Sequence, residues 1–505
     1  MPVFHNYVED VLDGLSAEPG REVLVSGERR WGAEEFRSLV HRLARALRER
    51  GVGRGRTVTL LCGNLPETIA ARYAVNLLGA PFNHLYNRLG PDVQAKMMTD
   101  VETHTLIVDP TLVDRAVQLT STVAVDQFLT LGPTEVPEAE DLLALAAHQP
   151  DDPVTSQARP DDLCFIRHSG GTTGHPKGIR STFARMLGLD QVSALFGGHT
   201  PRDLVCTPVS HAAGFIADAT LAAGGTVVLH RTFDPGEVLA TIERERITHL
   251  FLLPPLLYQV LDHPARVDTS SLRQLTYGGT PSSPTRIAEA ARRFGPVLHQ
   301  GYGQFESGPV SMLTAAEHDP DRLDILRTAG RVLPGVEVEI RDPDDAPVPA
   351  GQVGEICVRG GGMMEGYWKN PELTAEVMRG GWMHTGDLGR LDDHGYLTVV
   401  DRVRDMIVVV GGHVYTAELE EFLSTHPEVR DCAVYGVRGV DGVERIFASV
   451  VVRPGSAVTE EDLRQMVSTG RGAMYVPDRV EFVAALPLTD VGKPDKKVLR
   501  GRAVG

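Results

Sequence analysis

Short apolar runs alternate with segments of helical periodicity through much of this chain, and this alternation constrains its fold more than any other feature. Between Glu34 and Arg50 the apolar residues recur at helical spacing, and Gly51 follows as an expected C-cap. Such helical patterns are interleaved with the strand-like runs TVTLLCG, THTLIVD, GTVVLH and ITHLFLL. This order predicts an α/β fold with a largely parallel sheet.

The length of 505 residues exceeds what one hydrophobic core usually supports, so two or more domains are expected. From about Gly330 to Val400 short strands are broken by Gly, Pro and Asp turns, which predicts a β-rich subdomain. After Asp401 the runs MIVVV, AELEEFLSTHP and FASVVV predict strand, helix and strand. We therefore predict a large N-terminal domain of layered α/β sheets over residues 1–403 and a small, mobile α+β C-terminal domain over 404–505.

Composition excludes several classes of protein. With 42% hydrophobic and 23% charged residues the chain is neither disordered nor fibrous, and a net charge of -17 argues against nucleic acid or an anionic membrane as partner. The five scattered cysteines form no C-x-x-C pair, so reduced thiols are expected and zinc is not. No secretory signal or membrane-spanning apolar stretch is evident, so we expect a cytoplasmic protein.

The segment from Ser169 to Gly178 reads SGGTTGHPKG and has the composition of a phosphate-binding loop. Its glycines let backbone N–H groups converge on an anion, its threonines add hydroxyl donors, and Lys177 supplies positive charge. It is not a Walker loop, because Lys177 lies between Pro176 and Gly178. The alternative is a solvated Gly/Thr turn without a ligand.

This loop resembles the S-G-T-T-G-x-P-K-G signature of the adenylate-forming superfamily, which includes acyl-CoA synthetases, luciferases and peptide-synthetase adenylation domains. Further segments resemble the motifs of that superfamily in the same order along the chain: Gly278-Gly279-Thr280, Tyr302-Gly303-Gln304-Phe305-Glu306, His384-Thr385-Gly386-Asp387, Asp401 to Asp405 continuing to Gly411 and Glu418, and Gly492-Lys493. The resemblance to acyl-CoA synthetases implies that a carboxylic acid reacts with ATP to give an acyl-adenylate, from which a thiol such as CoA displaces AMP.

The resemblance also implies roles for single residues. Asp387 would accept both ribose hydroxyls, and Arg402 would hold the nucleotide from the other domain. Tyr302 would stack on adenine, and Glu306 would bind Mg²⁺ through a hard oxygen. Lys493 would stabilise the charge shared by the substrate carboxylate and the α-phosphate during adenylation.

For the thioester step, the small domain would rotate about a hinge at Arg404, so that the loop around Gly411 replaces Lys493. His211 matches an aromatic gate near the acyl pocket. Lys493, Glu306 and His211 are thus the predicted catalytic residues. The predicted nucleotide- and cofactor-binding residues are Thr172, Thr173, Gly174, Lys177, Gly278, Gly279, Thr280, Tyr302, Gly303, Phe305, Asp387, Arg402 and Gly411.

Two residues depart from the motifs on the phosphate side. Gly170 stands where serine is usual, and Phe305 stands where threonine precedes the Mg²⁺-binding glutamate. Each lost phosphate contact could weaken transition-state stabilisation by roughly 1 to 3 kcal/mol. This favours a second hypothesis, a ligase that performs only the thioester step on an acyl-adenylate supplied by an upstream enzyme. The retention of Lys493 and Glu306 argues against it, and Phe305 could instead shape the acyl pocket.

The same motifs are compatible with further functions. A noncatalytic adenylate-binding protein, an oxygenase of the luciferase kind and a carrier-protein ligase all share them, and a homodimer is compatible with the sequence. Taken singly, Asp387 and Arg402 could form a surface ion pair, and His211 could be a core histidine. Small residues and two nearby aromatic residues predict a roomy apolar pocket for a bulky acid: Ala212, Ala213, Gly214, Gly278, Gly279, Phe215 and Phe305.

Overall fold

A computed structural model describes residues 4–87, 89–169, 177–186, 196, 198–403, 405–409, 412–438, 444–489 and 493–504. The strands are β1 (Glu22–Ser26), β2 (Arg29–Gly32), β3 (Val58–Leu61), β4 (Phe82–His84), β5 (Thr105–Val108), β6 (Gln127–Thr130), β7 (Glu140–Asp141), β8 (Leu163–Ser169), β9 (Lys177–Thr182), β10 (Arg202–Val205), β11 (Thr226–Leu229), β12 (His249–Leu252), β13 (Gln274–Gly278), β14 (Leu298–Gln304), β15 (Gly308–Leu313), β16 (Arg331–Val332), β17 (Val336–Arg341), β18 (Gly354–Gly360), β19 (Met383–Leu391), β20 (Leu397–Arg402), β21 (Ile407–Val409), β22 (Gly412–Val414), β23 (Val429–Arg438), β24 (Glu444–Val452) and β25 (Arg479–Phe482).

The α-helices are α1 (Tyr7–Ala17), α2 (Ala33–Glu49), α3 (Pro66–Leu77), α4 (Pro91–Asp100), α5 (Val113–Thr120), α6 (Leu142–Ala147), α7 (Ala212–Ala222), α8 (Pro235–Arg244), α9 (Pro254–Asp262), α10 (Pro284–Phe294), α11 (Leu323–Leu326), α12 (Pro371–Val377), α13 (Thr416–Leu423), α14 (Glu460–Arg471) and α15 (Lys496–Val504). Within the described ranges, no helix is long and apolar enough to cross a membrane.

The first of two compact units comprises Met1–Phe251, His263–Leu275 and Met364–Thr374. One of its sheets has the strand order β7-β6-β5-β3-β4-β8-β9, and its pairs are parallel except for β8 with β9. A second set pairs β12, β10, β11 and β1 in parallel, with β2 antiparallel at the edge. The predicted α/β architecture with largely parallel strands is therefore confirmed.

The core of this unit contains a buried ion pair. A guanidinium nitrogen of Arg72 on α3 lies 2.7 Å from a carboxylate oxygen of Asp218 on α7, and the two side chains are 2% and 1% exposed. The Tyr73 hydroxyl donates to the other oxygen of Asp218 at 2.6 Å. Because a buried charge is costly unless it is paired and hydrogen-bonded, these contacts let Asp218 remain within an apolar core.

The second unit comprises Leu252–Asp262, Thr276–Met363 and Ala375–Gly505. It contains the antiparallel strands β14, β15 and β16, and a four-stranded antiparallel sheet in the order β17-β18-β19-β20. Toward the end of the chain β21 pairs with β22, and β23, β24 and β25 form a separate sheet. The predicted β-rich segment and the strands and helix predicted after Asp401 are all present.

Charged and polar residues connect the helices of the C-terminal region to the end of β20. Asp401 accepts a hydrogen bond from the backbone N–H of Thr416, which begins α13. The Lys496 ammonium, at the start of α15, lies 2.6 Å from the Thr416 hydroxyl and 2.9 Å from a carboxylate oxygen of Glu420. Both sides of the predicted 403–404 domain boundary belong to the second unit, and the boundary itself stays a prediction.

Candidate nucleotide site around Asp387

Asp387 and Arg402 lie opposite each other on the antiparallel strands β19 and β20. The Arg402 Nε lies 3.2 Å from Asp387 Oδ1, and Arg402 is 40% exposed while Asp387 is 6% exposed. The expectation that Arg402 approaches from the other domain is wrong, because both residues belong to one sheet in one compact unit. The antiparallel register, which pairs residues 15 positions apart, is what brings them together.

Two side chains from β14 complete the surroundings of the Asp387 carboxylate. The Tyr302 hydroxyl donates to Oδ2 at 2.9 Å, and the Gln304 Nε2 donates to the same oxygen at 2.6 Å. Burial, followed by the Asp387 charge, raises the pKa of the Tyr302 phenol well above its usual value, so Tyr302 acts as a hydrogen-bond donor. Asp387 is thus a nearly buried carboxylate held by two hydrogen-bond donors and one guanidinium.

The segment that carries Asp387 is a bulge in β19. Glu355 of β18 is paired with Leu388 and Cys357 with His384, so between these pairs one residue of β18 is opposite three residues of β19. Within the bulge Gly386 has φ of +68°, a left-handed conformation that favours glycine. The Thr385 hydroxyl donates to the Ile356 carbonyl at 2.7 Å and accepts from the Asp387 N–H at 3.1 Å.

The side chain of Glu355 fills this bulge. Its Oε1 accepts a hydrogen bond from the Gly386 N–H at 3.0 Å, and its Oε2 lies 2.8 Å from His384 Nδ1. Glu355, Cys357 and His384 place potential metal-ligand atoms within 4.8 Å of one another. Burial, followed by the Glu355 charge, raises the pKa of the Cys357 thiol to about 12. Since both oxygens of Glu355 already have hydrogen-bond partners, we interpret this cluster as a support for the bulge.

The other predicted residues are distributed over both units. Gly170, Thr172, Thr173, Gly174, Arg404, Gly411 and Gly492 lie outside the described residues. Lys177 begins β9, and its ammonium lies 5.4 Å from the centre of the Tyr367 ring, both in the first unit. Phe305 and Glu306 are half-buried in the turn between β14 and β15. The backbone N–H of Lys493 donates to the Thr489 hydroxyl at 3.1 Å.

His211 lies in the first unit, at the N-cap position of α7. Its ring packs edge to face against Tyr86 with ring centres 5.3 Å apart, and its Nδ1 lies 2.9 Å from the Ser210 hydroxyl. Phe215 is on the same helix, and its ring packs against the Arg167 guanidinium at 3.6 Å. His211 therefore lies at the start of a helix that carries Phe215, and its role beside the acyl pocket stays a prediction.

Two of the small residues taken as a sign of pocket volume have another explanation. A Cβ atom at Gly214 would lie 2.1 Å from the Val209 carbonyl oxygen, and one at Gly278 would lie 2.3 Å from the Gly301 carbonyl oxygen. Both glycines are therefore required by close backbone contacts. The argument for a roomy pocket is wrong at these two positions, because neither indicates open space.

Two family models match most of the chain. The model for AMP-binding enzymes matches residues 14–368, and the model for the AMP-binding enzyme C-terminal domain matches residues 418–493. The chain belongs to the AMP-binding enzyme family. This confirms the resemblance to the adenylate-forming superfamily that the motifs indicated.

Several known proteins align over nearly the full chain. The medium/long-chain-fatty-acid–CoA ligase FadD8 of Mycobacterium tuberculosis is 36% identical, with 98% of this chain and 91% of the relative covered. The feruloyl-CoA synthase of an Amycolatopsis species is 36% identical, with 93% of each chain covered. The structure of the amide bond synthetase McbA from Marinactinospora thermotolerans has a TM-score of 0.90 and 39% identity, with 98% of this chain and 99% of that chain covered.

These relatives make the chain an AMP-binding enzyme of the ligase class, in the acyl-CoA ligase family. The predicted ATP, Mg²⁺ and CoA are the cosubstrates and metal ion of this family, in which ATP forms an acyl-AMP.

Sequence reasoning missed Gln304 and Glu355 as parts of the site. Gln304 lies inside the recognised motif, whereas Glu355 lies 32 residues before Asp387 and has no local signal of its role.

Proposed function

We propose that this enzyme converts a bulky, apolar carboxylic acid to its CoA thioester through an acyl-adenylate. The single observation that supports this most is the Asp387 carboxylate, nearly buried and in contact with Tyr302, Gln304 and Arg402. An ionised carboxylate is an acceptor for ribose hydroxyls. Its position in the family motif agrees with that role.

The remaining roles follow the motif positions and are part of the proposal. Tyr302 packs against adenine, Lys493 stabilises the charge that develops during adenylation, and His211 borders the acyl site. Thr172, Thr173, Gly174 and Lys177 bind phosphate, and Gly278, Gly279, Thr280, Gly303 and Phe305 line the nucleotide and acyl region. The hinge near Arg404 and the loop at Gly411 serve the thioester step.

Glu306 is the proposed Mg²⁺ ligand. A half-buried carboxylate next to a nucleotide site fits this ion, which prefers hard oxygen ligands and usually takes one or two carboxylates together with substrate phosphates. When bound, Mg²⁺ supplies charge neutralisation at the phosphates. Glu306 would hold the ion, and Lys493, which belongs to the same unit, would contribute further positive charge.

Two observations support the proposed class of acid. Two similar relatives are named for medium- or long-chain fatty acids and for ferulic acid, which are extended and largely apolar. In the sequence, Phe215 lies four residues after His211 and Phe305 directly precedes Glu306, so both aromatic residues belong to the motif segments assigned to the acyl site. A bulky apolar acid is therefore the class to test first.

Specific observations favour two competing functions. Phe305 and Gly170 replace hydroxyl-bearing residues on the phosphate side, which favours a ligase limited to the thioester step and dependent on an upstream adenylating enzyme. The similarity to an amide bond synthetase favours an amine as the acyl acceptor instead of CoA. In both cases the acyl-adenylate is the common intermediate, so the acceptor and the source of the adenylate are what must be measured.

The test is mass spectrometry of products from a panel of fatty, aromatic and hydroxycinnamic acids. Each acid is supplied with ATP and Mg²⁺, or as a preformed acyl-adenylate, and with CoA or a primary amine. Thioester formed from the acid, ATP and CoA supports the proposal. Thioester formed from the preformed adenylate and CoA, but not from the acid and ATP, supports a ligase limited to the thioester step. Amide without thioester supports amide synthesis. Nucleotide binding without any product would overturn the proposed activity in favour of a noncatalytic binding protein.

Lys493→Ala separates the two half-reactions. Pyrophosphate exchange should fall about a hundredfold or more, because a charge that stabilises the transition state is lost, while thioester formation from the preformed adenylate should persist. Lys497→Ala, which removes an exposed lysine four positions along the chain, is the matched control. Equal exchange rates in both variants would contradict the role of Lys493.

Light scattering of the same samples measures whether the predicted homodimer forms.

A further inference from the structure

We propose that Glu355 is a positioning residue that holds the bulge of β19 in the shape that presents Asp387 to the nucleotide. This inference rests on the proposed function, because it takes Asp387 as the ribose-binding group. It adds a residue outside the segments on which the resemblance rests. It also explains how a distortion in an antiparallel sheet is kept in place.

The register of the sheet shows why a support is needed. On either side of the bulge, Glu355 is paired with Leu388 and Cys357 with His384, so Thr385, Gly386 and Asp387 have no paired residue on β18. A bulge of this kind leaves backbone groups without cross-strand partners. Buried backbone N–H groups without partners are costly, so the bulge is stable only if other groups accept their hydrogen bonds.

Glu355 accepts the hydrogen bond of the central residue of the bulge. Its Oε1 accepts from the backbone nitrogen of Gly386 at 3.0 Å, one residue before Asp387, and Gly386 has the left-handed φ of +68°. Its Oε2 lies 2.8 Å from His384 Nδ1 and 3.3 Å from a guanidinium nitrogen of Arg379. The carboxylate therefore connects both ends of the segment 384–386, and its side chain is only 20% exposed.

The neighbouring contacts do not replace this support. Thr385 ties the bulge to the Ile356 carbonyl and to the Asp387 N–H, which fixes the backbone around Thr385. The Gly386 N–H depends on Glu355 for its described hydrogen bond. The carbonyls on either side of this N–H keep partners, since the Thr385 carbonyl accepts from Gln304 Nε2 and the Gly386 carbonyl accepts from the Val403 N–H, both at 3.0 Å. Loss of the carboxylate would thus leave the Gly386 N–H and the His384 ring without this acceptor, and a small shift of the peptide unit before Asp387 changes the direction of the Asp387 side chain.

The test compares Glu355→Ala, Glu355→Gln and the control Glu337→Ala. Glu337 lies on β17 of the same sheet and pairs with Arg359 at the surface, with 60% of its side chain exposed. In Glu355→Ala the KM for ATP should rise about tenfold to a hundredfold, the range expected for lost charge-assisted hydrogen bonds. The KM values for the acid and for CoA should change less than about twofold.

Glu355→Gln should retain the acceptor for the Gly386 N–H, so its KM for ATP should rise less than about fivefold. Glu337→Ala should match the wild type. Thermal unfolding of all variants without nucleotide identifies any general loss of stability, and a KM effect restricted to ATP is not expected from such a loss.

A second measurement separates positioning from a merely structural role. Discrimination between ATP and 2′,3′-dideoxy-ATP reports contacts to the ribose hydroxyls, so the ratio of their KM values should fall about tenfold in Glu355→Ala. An unchanged ratio and an unchanged KM for ATP would overturn the inference. A wild-type enzyme that does not discriminate between these nucleotides would instead overturn the ribose-binding role of Asp387, which belongs to the proposed function.

Discussion

Asp203 gives a prediction whose sign and magnitude follow from burial. The residue lies on β10, paired with β11 on one side and β12 on the other, and is 1% exposed. Its Oδ1 is buried without a hydrogen-bond partner among the residues that the structure describes. Burial raises the pKa of this carboxyl from 3.8 to about 7.

This change in pKa makes the free energy of unfolding depend on pH. Between about pH 4 and pH 7 the folded state keeps a proton on Asp203 that the unfolded chain has released. The contribution of Asp203 therefore becomes less favourable as pH rises through this window and is constant above it. Compared with low pH, where Asp203 is protonated in both states, burial of this residue lowers the free energy of unfolding by about 3 kcal/mol at pH 6. At pH 8 it lowers the free energy of unfolding by about 4 kcal/mol.

Asp203→Asn removes the charge and keeps the shape, so it should raise the free energy of unfolding at both pH values. The gain should be larger at pH 8 than at pH 6 by about 1 kcal/mol. Urea denaturation followed by circular dichroism at both pH values measures this difference, and Asp161→Asn at an exposed position is the control. A gain for Asp203→Asn that is equal at pH 6 and pH 8, or larger at pH 6, would refute the reasoning.

Three further predictions concern the site and the core. Tyr302→Phe removes a hydrogen bond that orients the Asp387 carboxylate, so the KM for ATP should rise about threefold to tenfold and the free energy of unfolding should fall by about 1 to 3 kcal/mol; a KM equal to wild type would contradict this. Asp218→Ala leaves Arg72 buried without its carboxylate and should lower the free energy of unfolding by about 3 to 5 kcal/mol. The double variant Arg72→Met/Asp218→Leu should recover most of that loss. Equal losses in the single and double variants would argue against the ion pair as the cause. Phe305→Thr should raise ATP–pyrophosphate exchange about tenfold, and an unchanged rate would assign Phe305 to the acyl pocket instead.

The local elements were predictable because their signals are local. The apolar period between Glu34 and Arg50 predicted a helix that the structure has at Ala33–Glu49, followed by Gly51 with φ of +80°. The apolar runs that predicted strands contain β3, β5, β11 and β12, with ends displaced by one or two residues. Such periodicity depends on neighbours within a few positions, so one sequence is enough to recognise it.

Pairing between distant segments was not predictable in the same way. Arg402 was expected on another domain from Asp387, but the register of β19 and β20 places the two side by side. Glu355 contacts the bulge from β18, and the sequence predicts β18 only as part of the β-rich segment from about Gly330 to Val400. Register depends on the hydrophobic pattern of two strands together and on bulges, and neither is visible in one strand alone.

Glycine was ambiguous for a related reason. A small residue next to a predicted pocket fits both open space and close backbone contact, and the two interpretations lead to opposite conclusions about the size of the acid. At Gly214 and Gly278 the carbonyl oxygens of Val209 and Gly301 occupy the position of the missing side chain. These oxygens come from other turns and strands, so only the folded backbone distinguishes the two cases.

The contacts of Asp387 also constrain how a nucleotide can enter. Each carboxylate oxygen offers two acceptor positions, and Oδ2 already accepts from Tyr302 and Gln304 while Oδ1 faces the Arg402 guanidinium. If the Arg402 guanidinium occupies one position of Oδ1, these contacts leave one acceptor position among the described residues, although a ribose presents two hydroxyls. Gln304 is the donor that can leave at least cost, because its Nε2 also donates to the Thr385 carbonyl at 3.0 Å and would keep that partner. If Asp387 takes both hydroxyls, nucleotide binding must therefore be coupled to a movement of Gln304 within the same motif that carries Phe305 and Glu306.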